Sequence, residues 1–345
     1  MRKLNAVLLA TWSSATGKHE RDFLRALHNS KNIRALALEL NRFALPKGFA
    51  VHLSSLWVDW QPQSWKWIKA HKQYQKPSVE LADLVVIVWD DASHQSGKAL
   101  ILAAKMGVSH NSFAPYGKST QKEKTFLESP YPFLLSNSLS GTPASLPGFT
   151  YKECEFDFST SKGFNLWRWL LIKKNTASNW GVSRLRFTAK SESATTSFKS
   201  FGEELVNLLL NRSSGRFFVG CMTCEWCRLI NLLLGHTSNI SRHPKAQGPA
   251  RVDNFVANNA AKPNLGQTAN CSFQSVSLLS CLPSSLSPND ATQQAFAGND
   301  GGSYIGGVFN TKSGDGPFPQ CSFLFLTKSD IPEELDIENG KTTID

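Results

Sequence analysis

Residues 78–108 read SVELADLVVIVWDDASHQSGKALILAAKMGV. The run Leu84-Val85-Val86-Ile87-Val88 is apolar at every position and mostly β-branched. Such a run suits a strand covered on both faces, as in a parallel sheet, rather than one that alternates between core and solvent. The strand ends at Trp89-Asp90-Asp91, a small polar loop follows (residues 92–97, ASHQSG), and residues 98–105 (KALILAAK) read as a helix that stops at Gly107. A loop in this position lies at the carboxyl edge of the sheet, where α/β folds place their ligands. The adjacent carboxylates Asp90 and Asp91 are the candidate catalytic groups: a general base with an orienting partner, or magnesium ligands. Solvated turn residues are the other reading of the same pair.

Upstream, residues 5–10 (NAVLLA) read as a first strand. The basic start and short apolar run resemble the opening of a signal peptide, but residues 6–10 are too short for its apolar region. The following loop, residues 11–18 (TWSSATGK), has the small residues that let backbone N–H groups approach an anion at a helix start, with Thr11 and Ser13 as candidate contacts. Trp12 stands where a Walker loop needs its first glycine and His19 where it needs Ser or Thr, so an ordinary strand-to-helix turn fits as well. Residues 20–27 and 33–43 carry apolar side chains at helical spacing, the second helix being broken by Pro46-Lys47-Gly48, and residues 49–53 (FAVHL) form a second strand. In residues 54–76, Trp57, Trp60, Trp65 and Trp67 interleave with Lys66, Lys69, His71, Lys72 and Lys76. Aromatic faces stack on bases while cations meet phosphates, so Trp65, Lys66, Trp67, Lys69 and Lys72 are candidate nucleic-acid contacts. Core tryptophans behind a solvated lysine face are the alternative.

The chain has 345 residues and 41% hydrophobic content, enough for two domains with real cores, and no apolar run approaches the roughly 18 residues of a membrane span. A net charge of +10 favours an anionic partner such as a nucleotide, nucleic acid or an acidic surface. Seven cysteines, an odd number in so long a chain, argue for a reducing compartment, hence the cytoplasm, and against a disulfide framework.

Residues 116–150 are rich in Ser, Pro, Gly and Lys and read as a linker or long loop between a first domain (1–115) and a second (151–329) of uncertain α+β topology; residues 330–345 form an acidic tail. In the second domain, residues 156–158, 167–172 and 185–187 suggest strands or short elements, 201–210 a helix and 321–326 a last strand. Residues 167–174 (WRWLLIKK) are again basic and aromatic. Cys221, Cys224 and Cys227 form C-x2-C-x2-C, with His236 and His243 downstream. Thiolates at this spacing can grip one zinc ion with an imidazole completing the set. The same cysteines at i, i+3 on a buried helix are also compatible with plain packing.

Residues 35–108 resemble the SLOG superfamily, in particular its phage and bacterial branch related to DNA-processing proteins. The matching pieces, in order, are Val58-Asp59-Trp60, Ala82-Asp83, Trp89-Asp90 with Ser93 and Ser96-Gly97, and the Ala104/Gly107 end of the 98–105 segment. The resemblance implies a Rossmann-like parallel sheet with a nucleotide pocket. Ser93, Ser96, the Gly97 N–H and Lys98 would hold phosphate, and Trp60 or Trp89 would face the base or ribose. The family's glycine-rich segment is replaced here by residues 29–34 (NSKNIR), and Ile101 stands nearest the position of a glutamate that does chemistry in its enzymes. Isoleucine cannot polarise a ribose hydroxyl or attack an anomeric carbon. The resemblance therefore implies a nucleotide or nucleotide-derivative binder, a sensor or a degenerate N-glycosidic-bond enzyme. The rival is a basic nucleic-acid-binding or structural protein that uses this core as scaffold.

Overall fold

The computed structural model describes residues 1–15, 20–59, 63–68, 73–90, 96–106, 122–123, 125–126, 132–136, 149–158, 167–172, 181–183, 199–212, 214–220, 224–239, 271–276 and 320–331. Helices α1 (Arg2–Ser13), α2 (Glu20–Leu27) and α3 (Ser30–Ala44) precede strands β1 (Ala50–Asp59), β2 (Gln63–Ile68), β3 (Gln73–Glu80), β4 (Leu84–Trp89) and β5 (Ser96–Met106). Then come β6 (Phe133–Ser136), β7 (Glu155–Phe156), β8 (Trp167–Ile172), β9 (Gly181–Ser183), β10 (Lys199–Ser200), α4 (Phe201–Leu209), β11 (Arg216–Val219), α5 (Glu225–Asn239), β12 (Cys271–Val276) and β13 (Gln320–Ser329).

The architecture is α/β with a mixed sheet. Among the described residues the larger sheet has nine strands in the order β10-β9-β8-β5-β4-β13-β1-β12, with β11 also paired to β5; a smaller one runs β3-β2-β6-β7. Parallel pairing holds between β4 and β13 and between β5 and β8, whereas β4–β5, β1–β13, β1–β12 and β5–β11 are antiparallel. Strands from residues 50–106 and from residues 167–329 thus share one sheet, and residues 133–136, within the stretch expected as a linker, supply the fully buried β6. No helix of the described residues is long and apolar enough to cross a membrane.

The apolar run of β4 is buried at all six positions because the sheet is covered on both sides. Leu84, Val86 and Val88 enter one core with Leu4, Leu8 and Trp12 of α1, Phe23 of α2, Leu36 and Leu40 of α3 and Leu205 of α4. Val85, Ile87 and Trp89 enter the other with Phe133 and Phe156 of the small sheet and Trp226 and Leu229 of α5. Burying one such aliphatic side chain is worth about 1.5–3 kcal/mol.

Two expected elements take the other secondary structure. Residues 98–105, read as a helix, lie in β5. Six successive residues, Ala99 to Ala104, are buried, and they divide by parity: Ala99, Ile101 and Ala103 into one core, Leu100, Leu102 and Ala104 into the other. A helix cannot cover two opposed cores with a period of two, so tertiary burial overrides the helix preference of Ala, Leu and Lys. Residues 5–10, read as a strand, lie in α1. Leu4, Leu8, Thr11 and Trp12 are its buried positions, the i, i+4, i+7, i+8 stripe of an amphipathic helix, while Ala6 and Ala10 are exposed. The expected helices at 20–27, 33–43 and 201–210 and the strands at 49–53, 84–88, 167–172 and 321–326 are present within or close to their expected bounds. Residues 185–187 and most of the tail lie outside the described residues.

Candidate functional site

The carboxyl end of β4 is where three remote parts of the chain meet. Asp90 follows β4, and its N–H donates to the Ser96 carbonyl at 3.1 Å, closing the β4–β5 hairpin. Lys98 sits two residues into β5. Lys328 comes from β13, the neighbour of β4 on its other edge, and its Nζ lies 3.1 Å from Asp90 Oδ1. The turn after α4 completes the group. Asn211 takes the left-handed conformation (φ 55°) common for Asn just past a helix end, and its Nδ2 donates to Asp90 Oδ1 at 3.4 Å. The Lys98 ammonium donates to the Arg212 carbonyl at 2.9 Å. Lys328 also stands over the Phe49 ring, 5.6 Å from its centroid.

Lys328 is ion-paired to Asp90, and the Lys98 ammonium, bonded to the Arg212 carbonyl, stands near enough to feel both charges. Burial and the neighbouring Lys328 hold Lys98 below the ordinary lysine range, with Asp90 acting in the opposite direction. An anion placed between the lysines would relieve that repulsion.

The structure gives Gly97 a different job from phosphate contact. It pairs with Trp89 of β4 on one side and Phe218 of β11 on the other. A Cβ there would stand 2.2 Å from the Val88 carbonyl oxygen, so only glycine lets the strands close at this point. With no helix beginning at Lys98, the helix-start cradle expected of Ser96, Gly97 and Lys98 is replaced by a strand engaged on both edges. Side chains rather than a row of backbone amides then line this end of the sheet. Ser96 is half-buried at the strand start, and Trp89 is buried, its ring edge-on to Phe218 at 5.1 Å.

The loop context expected around Thr11 and Ser13 is likewise the last turn of α1. The buried Thr11 hydroxyl donates to the Val7 carbonyl at 3.0 Å, whereas Ser13 is exposed. Trp65, Lys66 and Trp67 lie on β2. Trp60, Lys69, Lys72, Asp91, Ser93 and Cys221 lie outside the described residues. Cys224 is exposed just before α5 and Cys227 is buried within it; among the described residues no three His, Cys, Asp or Glu side chains stand together as a metal site.

A second polar group occupies the opposite end of β4. Asp83 Oδ2 accepts the Ala104 N–H at 2.7 Å, and the Asp83 carbonyl accepts both the Ser322 N–H (2.9 Å) and its hydroxyl (2.8 Å). One residue therefore ties the ends of β4, β5 and β13. Lys105 pairs with Glu123 at 2.6 Å, and Glu20 of α2 accepts the Met106 N–H at 3.2 Å. Burial pushes the Asp83 carboxyl up to about 7, Lys105 pulling it down and Glu123 and Glu20 adding to the rise. For Lys105, burial works against the charge, but Asp83 and Glu123 outweigh it and hold the ammonium above its ordinary value.

Lys328, Asn211, Lys105 and Glu123 carry no local sequence signal. Lys328 is 238 positions from Asp90, and only the insertion of β13 beside β4 reveals the pairing. Fold and site together define an α/β protein with a mixed sheet and a lysine-rich group at the carboxyl end of a central strand. Comparison with family models, with curated proteins and with solved structures returned no match.

Proposed function

We propose that the chain binds a nucleotide or nucleotide derivative through its phosphate at the carboxyl end of β4, with Lys98 and Lys328 as the anion-holding pair. The observation that carries this reading is that Lys98 of β5 and Lys328 of β13, on either side of β4, are close enough for their charges to interact beside Asp90, which is ion-paired to Lys328. The net charge of +10 supports it, as does the resemblance of residues 35–108 to the SLOG superfamily in the strand 84–89 and the loop after it, though not in residues 98–105, which are a strand here. In this reading Asp90, ion-paired to Lys328, is a counter-ion that sets the lysine geometry rather than a general base. Binding, not turnover, is the role.

Thermal unfolding against nucleotides, NAD, ADP-ribose and a short single-stranded oligonucleotide, each at two salt concentrations, tests it. A ligand at about 100 times its dissociation constant stabilises by about 2.7 kcal/mol, a readily measured shift. A nucleotide shift that survives salt and disappears in the Lys98→Ala/Lys328→Ala protein is the expected result. A shift given by oligonucleotide alone, lost as salt rises and unaffected by the double replacement, would sink it and move the function to the basic aromatic segments around Trp65 and Trp67.

A further inference from the structure

Helix α5 begins on a cysteine that performs the task usually left to Ser, Asp or Asn. The Cys224 carbonyl accepts the Arg228 N–H at 2.9 Å, the first bond of the helix, and the Cys224 Sγ accepts the Cys227 N–H at 3.1 Å. That is the geometry of a helix N-cap with sulfur in place of oxygen. The two cysteines differ sharply in surroundings. Cys224 is exposed, while Cys227, three residues on and therefore a neighbour on the helix surface, is 6% exposed and packed in the core shared with Trp226 and Leu229. Neither cysteine is in a disulfide.

The Cys224 sulfur sits at the solvent-facing start of a 15-residue helix, where a partner in solution can reach it. The thiolate is the attacking species in disulfide exchange, and exposure decides which of two thiols meets a partner first. A second thiol three residues on and shielded from solution meets a disulfide partner only after the first has formed a mixed disulfide. The pair Cys224-Glu225-Trp226-Cys227 has this division of labour.

We propose that Cys224 and Cys227 are a redox-active pair that carries out dithiol–disulfide exchange, with Cys224 the attacking thiol and Cys227 the resolving one. The co-reactant is a low-molecular-weight disulfide, RSSR. The Cys224 thiolate attacks one sulfur of RSSR; a bond forms between Cys224 Sγ and that sulfur, the S–S bond of RSSR breaks, and RS⁻ leaves to take up the proton Cys224 gave to solvent. The Cys227 thiolate then attacks Cys224 Sγ, forming the Cys224–Cys227 disulfide and expelling the second RS⁻, which takes the proton from Cys227. Two thiols are oxidised to one disulfide, and one RSSR is reduced to two RSH.

The test uses the full chain carrying Cys221→Ser, so that the tryptic peptide 217–228 holds only the two thiols in question. The protein is equilibrated with mixtures of reduced and oxidised glutathione, quenched with acid, alkylated and weighed as peptides. Under reducing mixtures the peptide should take two labels. Under oxidising mixtures it should take none and lose two hydrogens, in a single two-electron transition. A peptide that takes two labels throughout, that stops at a glutathione adduct, or that is protected by stoichiometric zinc overturns the proposal. Cys224→Ser in the same background keeps an N-cap oxygen, and so keeps the helix start, while removing the nucleophile. It should react with oxidised glutathione at least about tenfold more slowly than Cys227→Ser, which should accumulate glutathione on Cys224. Equal rates, or an adduct on Cys227, would overturn the assigned roles; should either variant fail to fold, the glutathione titration of the Cys221→Ser protein decides the matter alone.

Discussion

Asp83 makes stability depend on pH in an unusual direction. Its carboxyl, ordinarily at 3.8, stands at about 7 in the folded chain because burial opposes its charge. A folded-state value raised above the unfolded one means the native state holds the proton more tightly. This contribution is fully present below about pH 4 and is lost as the pH rises through about 7. At about 1.4 kcal/mol per pH unit across that window the ceiling is on the order of 4 kcal/mol; partial solvation of the Asp83 side chain lowers the expected effect to about 2 kcal/mol. Replacing Asp83 by Asn keeps an oxygen for the Ala104 N–H and removes the titration. Denaturant unfolding of both proteins from pH 5 to 8.5 should show the variant gaining on the wild type as pH rises, with most of the change between 5 and 7.5. His28 titrates the opposite way: burial holds it at about 3, so its contribution is present above about 6.5 and lost as the pH falls. Both proteins share His28, so their difference isolates Asp83. A difference constant across the range would refute the reasoning and show that Asp83 ionises as an ordinary carboxylate.

Gly97→Ala forces a Cβ to within 2.2 Å of the Val88 carbonyl oxygen, and the backbone of β4 or β5 must move; a loss of about 1–3 kcal/mol is expected in denaturant unfolding. Arg168 of β8 and Glu204 of α4 form an ion pair with both side chains 2% exposed. Glu204→Gln should cost about 3–5 kcal/mol by removing the carboxylate from a buried guanidinium, and Arg168→Met with Glu204→Leu should recover most of it, as a double-mutant cycle would measure. A chain ending at residue 319 lacks β13, which pairs with all ten residues of β1 and with all six of β4. It should show no cooperative unfolding transition, and adding residues 320–345 as a separate peptide should restore one.

What the sequence reveals depends on whether the decisive contact is local. Burial of 84–88 on both faces was legible because it leaves an unbroken apolar run, and the helices at 20–27 and 33–43 because their apolar stripes are written at helical spacing. Residues 98–105 misled for the converse reason. Ala, Leu and Lys favour a helix, and nothing near them in sequence announces that two cores will lie on opposite sides of the strand. Residues 5–10 misled by contiguity, since five apolar residues in a row fit a strand as well as a helix until Leu4 and Trp12 are seen to extend the buried stripe. At the site, Asp90 and Lys98 were legible as polar residues beside a buried strand, but their partners were not.

The position of β13 explains that gap and gives the site its character. A strand from the end of the described chain lies at the centre of the sheet, parallel to β4 and antiparallel to β1, so both ends of β4 are finished by residues more than 200 positions away. At one end Ser322 binds the Asp83 carbonyl; at the other Lys328 pairs with Asp90. The lysine pair forms only once this long-range insertion is made, and closing so long a loop costs entropy before any contact rewards it. In the proposed reading, anion binding and completion of the sheet are therefore coupled. A ligand held by Lys98 and Lys328 bridges β5 and β13 across β4, so it should protect β13 amides from hydrogen exchange more than those of β8, which adjoins β5 on the side away from β13.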